Sequence, residues 1–173
     1  MRVRRHLLAL PIALMLSAGL VAPATATGTG WEPVPDEPYD PVAACGTTLT
    51  IVEKVNEVET RTVPLANGAT RTDYRGTYIV SVSAPGRRKV VLDNSGAYSV
   101  YEYADGGVFY DIGAPGLVFY FDAVEKAAFA RAGLPPVFYY RSGRLRLSIS
   151  SDGSERVVSR PRNVTSICTL LRR

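Results

Sequence analysis

Histidine is almost missing from this chain of 173 residues: His6 is the only one. Catalytic systems of the Ser-His-Asp and Cys-His kinds therefore lack a base beyond position 6, and histidine-bearing zinc sites lack a ligand. Cysteine is scarce too, with only Cys45 and Cys168. No Walker loop, no glycine-rich dinucleotide fingerprint and no EF-hand loop occurs, so neither a nucleotide nor a metal nor any other cofactor is expected. No apolar run reaches the ~20 residues that a membrane-spanning helix needs. The longest, Leu7 to Ala22, is broken by Pro11, Ser17 and Gly19. Carboxylate chemistry, acid-base work by Lys or Tyr, and non-catalytic binding remain.

What is present reads as one ordinary globular domain behind an export segment. Apolar residues make up 46% of the chain, charged residues 21%, and mean hydropathy is +0.03; disordered chains are poorer in apolar residues. Arg2, Arg4, Arg5 and His6 precede the apolar stretch, and Ala24-Thr25-Ala26 follows as a small-x-small cleavage site. This is the three-part plan of a secretory signal, which predicts cleavage near Ala26, a secreted protein, and no transmembrane segment in the mature chain. Removing Arg2, Arg4 and Arg5 from the 20 cations leaves 17 against 16 acids, a net charge near +1. A uniformly basic coat for polyanions is thereby excluded. Arginine outnumbers lysine 17 to three over the whole chain, a bias that, with the basic signal segment, resembles exported bacterial proteins.

In an oxidising compartment a lone cysteine pair is expected to bridge, so Cys45 and Cys168 are read as a disulfide that staples the two ends of the domain. Residues 27–44 carry Pro33, Pro35, Pro38 and Pro41 among Glu32, Asp36, Glu37 and Asp40, which predicts an extended acidic arm or spacer. The globular domain is then 45–173.

Turn chemistry recurs about every ten residues: Asn67-Gly68, Pro85-Gly86, Asp93-Asn94-Ser95-Gly96, Asp105-Gly106-Gly107, Ser142-Gly143 and Asp152-Gly153. That spacing predicts antiparallel strands over 47–56, 58–64, 72–83, 88–93, 97–103, 108–113, 117–121, 137–141, 144–150 and 155–160. One helix, 123–132, is signalled by Asp122 as N-cap, Gly133 as C-terminal stop and Pro135-Pro136 beyond it, with Val124, Ala127, Ala128 and Phe129 expected on its packed face. The expected fold is mainly β: an antiparallel sandwich or partly closed barrel with one short amphipathic helix packed on the sheet.

Three candidate sites follow. Reading Ala104–Gly107 as a four-residue loop places Glu102 and Asp111 diagonally on one face, the arrangement in which a glycoside hydrolase pairs two carboxylates; solvated acids on a hairpin's polar face are the alternative. Twelve of the 16 aromatic residues fall between Tyr98 and Tyr140, and adjacent rings must alternate across a strand. Tyr98, Tyr120 and Tyr139 are therefore either second-layer packing or a binding platform.

The third candidate is cationic. Residues 131–173 hold nine arginines and two acids, whereas 27–130 hold eight cations and 14 acids. If Ser142-Gly143 closes a hairpin, Tyr140 faces Leu145, Phe138 faces Leu147, and Ile149 meets Val157 across the next turn. Tyr139, Arg141, Arg144, Arg146, Arg156 and Arg160 then share an outer face. Such a face suits an anionic polymer of the cell envelope or a protein partner; an ordinary solvated surface is the alternative. On this reading the acidic arm, tethered beside Cys168, either lies along the arginines or remains a spacer. The sequence thus favours a secreted, non-enzymatic binding or structural module at the cell envelope, with a carboxylate-pair glycosidase as the rival.

Overall fold

The computed structural model describes residues 30–36, 38–120 and 122–172. The expected export segment lies outside them. Strands account for 52% of the described residues and helices for 9%, in three antiparallel sheets without barrel closure. In chain order the strands are β1 (Glu32–Pro33), β2 (Val42–Ala44), β3 (Thr47–Asn56), β4 (Glu59–Pro64), β5 (Thr70–Arg75), β6 (Tyr78–Ser83), β7 (Val90–Asp93), β8 (Tyr98–Glu102), β9 (Val108–Gly113) and β10 (Gly116–Phe119). Helix α1 (Ala123–Arg131) precedes β11 (Val137–Ser142), β12 (Arg144–Ile149), β13 (Glu155–Ser159), β14 (Arg162–Ser166) and the short α2 (Ile167–Leu170).

A seven-stranded sheet runs in the order β1-β4-β5-β8-β9-β12-β13, a four-stranded sheet β2-β3-β6-β7, and a three-stranded sheet β10-β11-β14. Their inner faces meet in one main core, with Leu147 and Ile149 in a small second cluster. Leu49, Val80 and Val82 come from the four-stranded sheet, Tyr98, Ile112 and Leu145 from the seven-stranded sheet, Phe138 and Tyr140 from the three-stranded sheet, and Phe129 from α1. Strict alternation along β12, with Leu145 and Leu147 buried and Arg144 and Arg146 exposed, is the period-2 signature of a sheet with one wet face.

The expected strand 72–83 is two strands. Gly76 breaks it at φ 123°, and a side chain there would stand 2.1 Å from the Glu57 carbonyl oxygen. Only glycine accepts both that dihedral and that approach. The turn sends β5 into one sheet and β6 into another.

Helix α1 begins as expected: the Asp122 carboxylate accepts from the Val124 and Glu125 backbone N–H groups at 2.9 Å each. Gly133, at φ 66°, stops it. Its packed face differs from the expected one. Ala128 and Phe129 are buried, but the third buried position is Glu125, while Val124 is 39% exposed and Ala127 is exposed.

The expected hairpin across Ser142-Gly143 does not form. β11 pairs with β10 and β14, whereas β12 pairs with β9 and β13, so the chain turns a corner between sheets at Gly143, φ 84°. Phe138, Tyr140, Leu145 and Leu147 are nonetheless all buried. β11 lies in the interior with Val137 and Tyr139 buried as well, so its second face is not the wet one expected. Across the β12–β13 turn the loop is five residues long, and Val157 meets Leu147 rather than Ile149. This slip of two keeps Arg156 and Val157 on their expected faces, but a register shift between Arg146 and Leu147 then sets Ser159 opposite Arg146.

Cys45 and Cys168 are bridged, with Cα atoms 5.2 Å apart. The described part of the acidic arm is docked rather than free. β1 pairs with β4, β2 pairs with β3, the Val34 N–H donates to the Val58 carbonyl at 2.8 Å, and the Tyr39 and Tyr78 hydroxyls are hydrogen-bonded. Among the described residues no ion pair joins Glu32, Asp36 or Asp40 to an arginine. The arm therefore follows the β4 edge, at the opposite end of the sheet from β12 and β13.

Candidate functional site

The outer face of the seven-stranded sheet brings charged and aromatic side chains together in registered rows. One row reads Arg61, Asp73, Ser99, Asp111 and Arg146 across β4, β5, β8, β9 and β12. The next reads Arg71, Tyr101, Phe109, Ser148 and Arg156 across β5, β8, β9, β12 and β13. On the other side of the first row lie Glu59 and Arg75, which face each other, and Arg144. Directly opposed residues in an antiparallel pair project to the same side, and the period of two carries that side from row to row. Six arginines and three acids thus share one surface.

Two carboxylates order this surface. Asp111 accepts from Arg144 Nε at 2.6 Å and from Arg146 Nε at 3.2 Å. Asp73 accepts from Arg61 Nη2 at 2.9 Å, Arg71 Nη2 at 3.1 Å and the Ser99 hydroxyl at 2.7 Å. Partial burial pushes each carboxyl upward, but the hydrogen bonds from Arg144 and Arg146, and those from Arg61, Ser99 and Arg71, outweigh it and hold both below the usual carboxylate range. The Asp111 hydrogen bond raises the Arg144 guanidinium further. Each acid therefore stays ionised at neutral pH and fixes two guanidinium groups, leaving one excess positive charge per trio.

The guanidinium groups around Asp111 remain accessible, whereas Arg61 Nε and Arg71 Nε are buried. Arg144 and Arg146 side chains are 47% and 45% exposed, whereas the Asp111 side chain is 17% exposed. Arg144 bonds Asp111 only through Nε, so its two terminal nitrogens are open. Arg156 is exposed and makes no ion pair among the described residues. Tyr101 and Phe109 are half-buried, their ring centroids 5.9 Å apart in an edge-on contact. At the β4 edge the Trp31 ring is covered by Arg61 and Arg75, whose guanidinium carbons lie 4.6 and 3.9 Å from its centroid.

The residues singled out from sequence separate into several places. Arg144, Arg146 and Arg156 lie on this face. Arg141 belongs to the three-stranded sheet, 6.0 Å from the ring of Tyr139 beneath it. Tyr139 is only 7% exposed and its phenol is pushed up by burial and by Asp93, with Arg141 opposing. Arg160 lies against Gly133 at the carboxyl end of α1, where the helix dipole favours a cation. Tyr98 is buried and stacked on Tyr74 at 4.1 Å, and Tyr120 is half-buried beneath Lys126. Of the three tyrosines read as either second-layer packing or a platform, Tyr98 and Tyr139 are buried and Tyr120 is half-buried.

Glu102 and Asp111 do not form a pair. The loop between β8 and β9 holds five residues, closed by Tyr103 N–H to the Gly107 carbonyl at 2.9 Å, and not the four read from sequence. Glu102 consequently lies opposite Val108 and Asp111 opposite Ser99. One residue of slip puts the two acids on opposite faces. On the inner face, Glu125 of α1 and Glu155 of β13 are buried at 1% and 4% exposure, and Arg131 Nη2 donates to the Glu155 carbonyl at 3.0 Å. Burial and the negative charges of Glu102, Glu125 and Glu155 push the nearby Tyr110 phenol up. Among the described residues no group of three His, Cys, Asp or Glu side chains is placed to hold a metal ion.

Sequence reasoning missed Arg61, Arg71, Asp73, Arg75, Tyr101, Phe109 and Trp31. The signal existed: Arg71-x-Asp73-x-Arg75 has the period of a strand face. Regional charge counting hid it, because residues 27–130 are acidic in total. Comparison of the chain with known protein families, with curated proteins and with solved structures finds no match.

Proposed function

We propose that this protein is a non-enzymatic binding or structural module of the cell envelope, acting outside the cytoplasm, and that it engages an anionic polymer through the outer face of its seven-stranded sheet. The observation that carries the reading is the excess of six arginines over three acids on one face, with two of the acids ordering four of the guanidinium groups. Preordered donors lose less conformational freedom on binding than freely rotating ones. The disulfide supports an oxidising compartment, and no helix among the described residues is long and apolar enough to cross a membrane.

Heparin is a suitable first probe because its charge is dense and its binding is easily read against salt. The disulfide-bonded chain lacking residues 1–26 should be retained on immobilised heparin at low ionic strength and released as salt screens the contacts. Combined Arg144→Ala, Arg146→Ala and Arg156→Ala should lower affinity at least tenfold while the far-UV spectrum stays unchanged. Retention of the triple variant equal to that of the parent, or no retention of either, would overturn the reading.

A further inference from the structure

Within that anionic-polymer reading, on which this step rests, we infer that the polymer is an acidic polysaccharide, whose carboxylates are separated by uncharged sugar rings. Two features of the outer face select it. The first is spacing. Asp73 and Asp111 lie in the same row with only Ser99 between them, on β5, β8 and β9. Neighbouring strands stand ~4.8 Å apart, so the two acids are about 10 Å from one another, and their arginines, on β4 and β5 at one side and on β12 at the other, are three to four strand spacings apart, roughly 14–19 Å. A span of that length takes several linked hexoses in an extended chain.

The second feature is what lies between the charges. Tyr101 and Phe109 occupy the middle of the adjoining row, flanked by Arg71 at one end and Arg156 at the other. Both rings are partly open to solvent and neither is needed to close the core, which lies on the opposite side of the sheet. An aromatic ring offers an apolar plate that matches the C–H face of a sugar ring. The guanidinium nitrogens not engaged by Asp73 and Asp111, Arg144 Nη1 and Nη2 on one side and Arg71 Nη1 on the other, supply donors for the flanking carboxylates.

Other polyanions fit less well. Polyphosphate carries a charge on every unit and has no apolar face, so it leaves the rings unused and brings anions over Asp73 and Asp111. An acidic peptide in extended form likewise places charges closer together than the trios do.

Hyaluronan oligosaccharides, with one carboxylate per disaccharide, test this directly by calorimetry or fluorescence titration. Long-chain polyphosphate, polyglutamate and a neutral chitin oligosaccharide serve as comparisons. Hyaluronan should bind more tightly per charge than polyphosphate or polyglutamate, and the neutral oligosaccharide at least tenfold more weakly. Tyr101→Leu with Phe109→Leu keeps apolar bulk on the sheet but removes the rings. It should weaken hyaluronan at least fivefold and leave polyphosphate within twofold. Arg144→Ala with Arg146→Ala should weaken both. If polyphosphate or polyglutamate binds as tightly per charge, or the leucine variant binds hyaluronan unchanged, the polysaccharide inference fails while the anionic-polymer reading stands. If no polyanion, heparin included, binds at low salt, the underlying reading itself fails.

Discussion

Tyr140→Phe is expected to destabilise the protein by about 1–2 kcal/mol, although it removes one oxygen atom and no core volume. Tyr140 sits on β11 with 0% exposure, and its hydroxyl reaches out of the three-stranded sheet to the Ile112 and Gly113 carbonyls of β9, at 3.2 and 3.0 Å. Burial pushes the phenol up, so the group is protonated and donates. A net hydrogen bond contributes ~1 kcal/mol, and stranding buried acceptors adds a desolvation cost of similar size. For a urea m-value of ~1.5 kcal/mol/M, the midpoint should fall by roughly 1 M with the slope unchanged. Tyr139→Phe is the matched control. It removes the same atom from the neighbouring residue of the same strand, where the hydroxyl has no hydrogen-bond partner among the described residues, and should cost less than ~0.5 kcal/mol. Equal stability of the two variants, measured by urea titration of the disulfide-bonded protein, would refute the claim that this bond joins the two sheets.

Gly116→Ala should cost about 1–3 kcal/mol, because the added methyl would stand 2.6 Å from the fully buried Tyr140 ring; the loss should appear in the same titration. Replacing both Cys45 and Cys168 by serine should lower stability by ~2–4 kcal/mol, since the bridge constrains a separation of 123 residues in the unfolded chain. Thermal unfolding with and without reductant checks it: the parent should fall on reduction and the variant should not move. The carboxyls of Asp73 and Asp111 are held below their ordinary value in the folded state, so their contribution is complete above about pH 4 and lost as pH falls through the depressed folded value. Because the pairs are partly solvated, each should contribute no more than ~1 kcal/mol. Asp73→Asn with Asp111→Asn should flatten the acid limb of a stability-against-pH profile, and an unchanged limb would contradict the ion-pair geometry.

The alternation of apolar and polar residues in this sequence decides which side chains are inside. Phe138, Tyr140, Leu145, Leu147, Val100 and Ile112 are all buried, and turn chemistry together with the Asp122 cap marks most of the strands and the helix. The cysteine pair is legible on the same footing, because two cysteines allow only one pairing. Alternation does not say which strand lies alongside. A period of two is satisfied equally by a hairpin neighbour and by a strand from elsewhere, so β11 and β12, consecutive and both well patterned, belong to different sheets. Register is decided just as remotely. One extra residue in the loop before β9 moved Asp111 away from Glu102 and into the grasp of Arg144 and Arg146. The outer face is accordingly a product of tertiary structure: its arginines come from both halves of the chain, and the acidic total of the first half conceals three of them until β4 and β5 are paired beside β8 and β9. Local sequence fixes where side chains point along a strand through sterics that act over a few residues, whereas the neighbours across the sheet depend on loop lengths and on the whole core that must be buried at once.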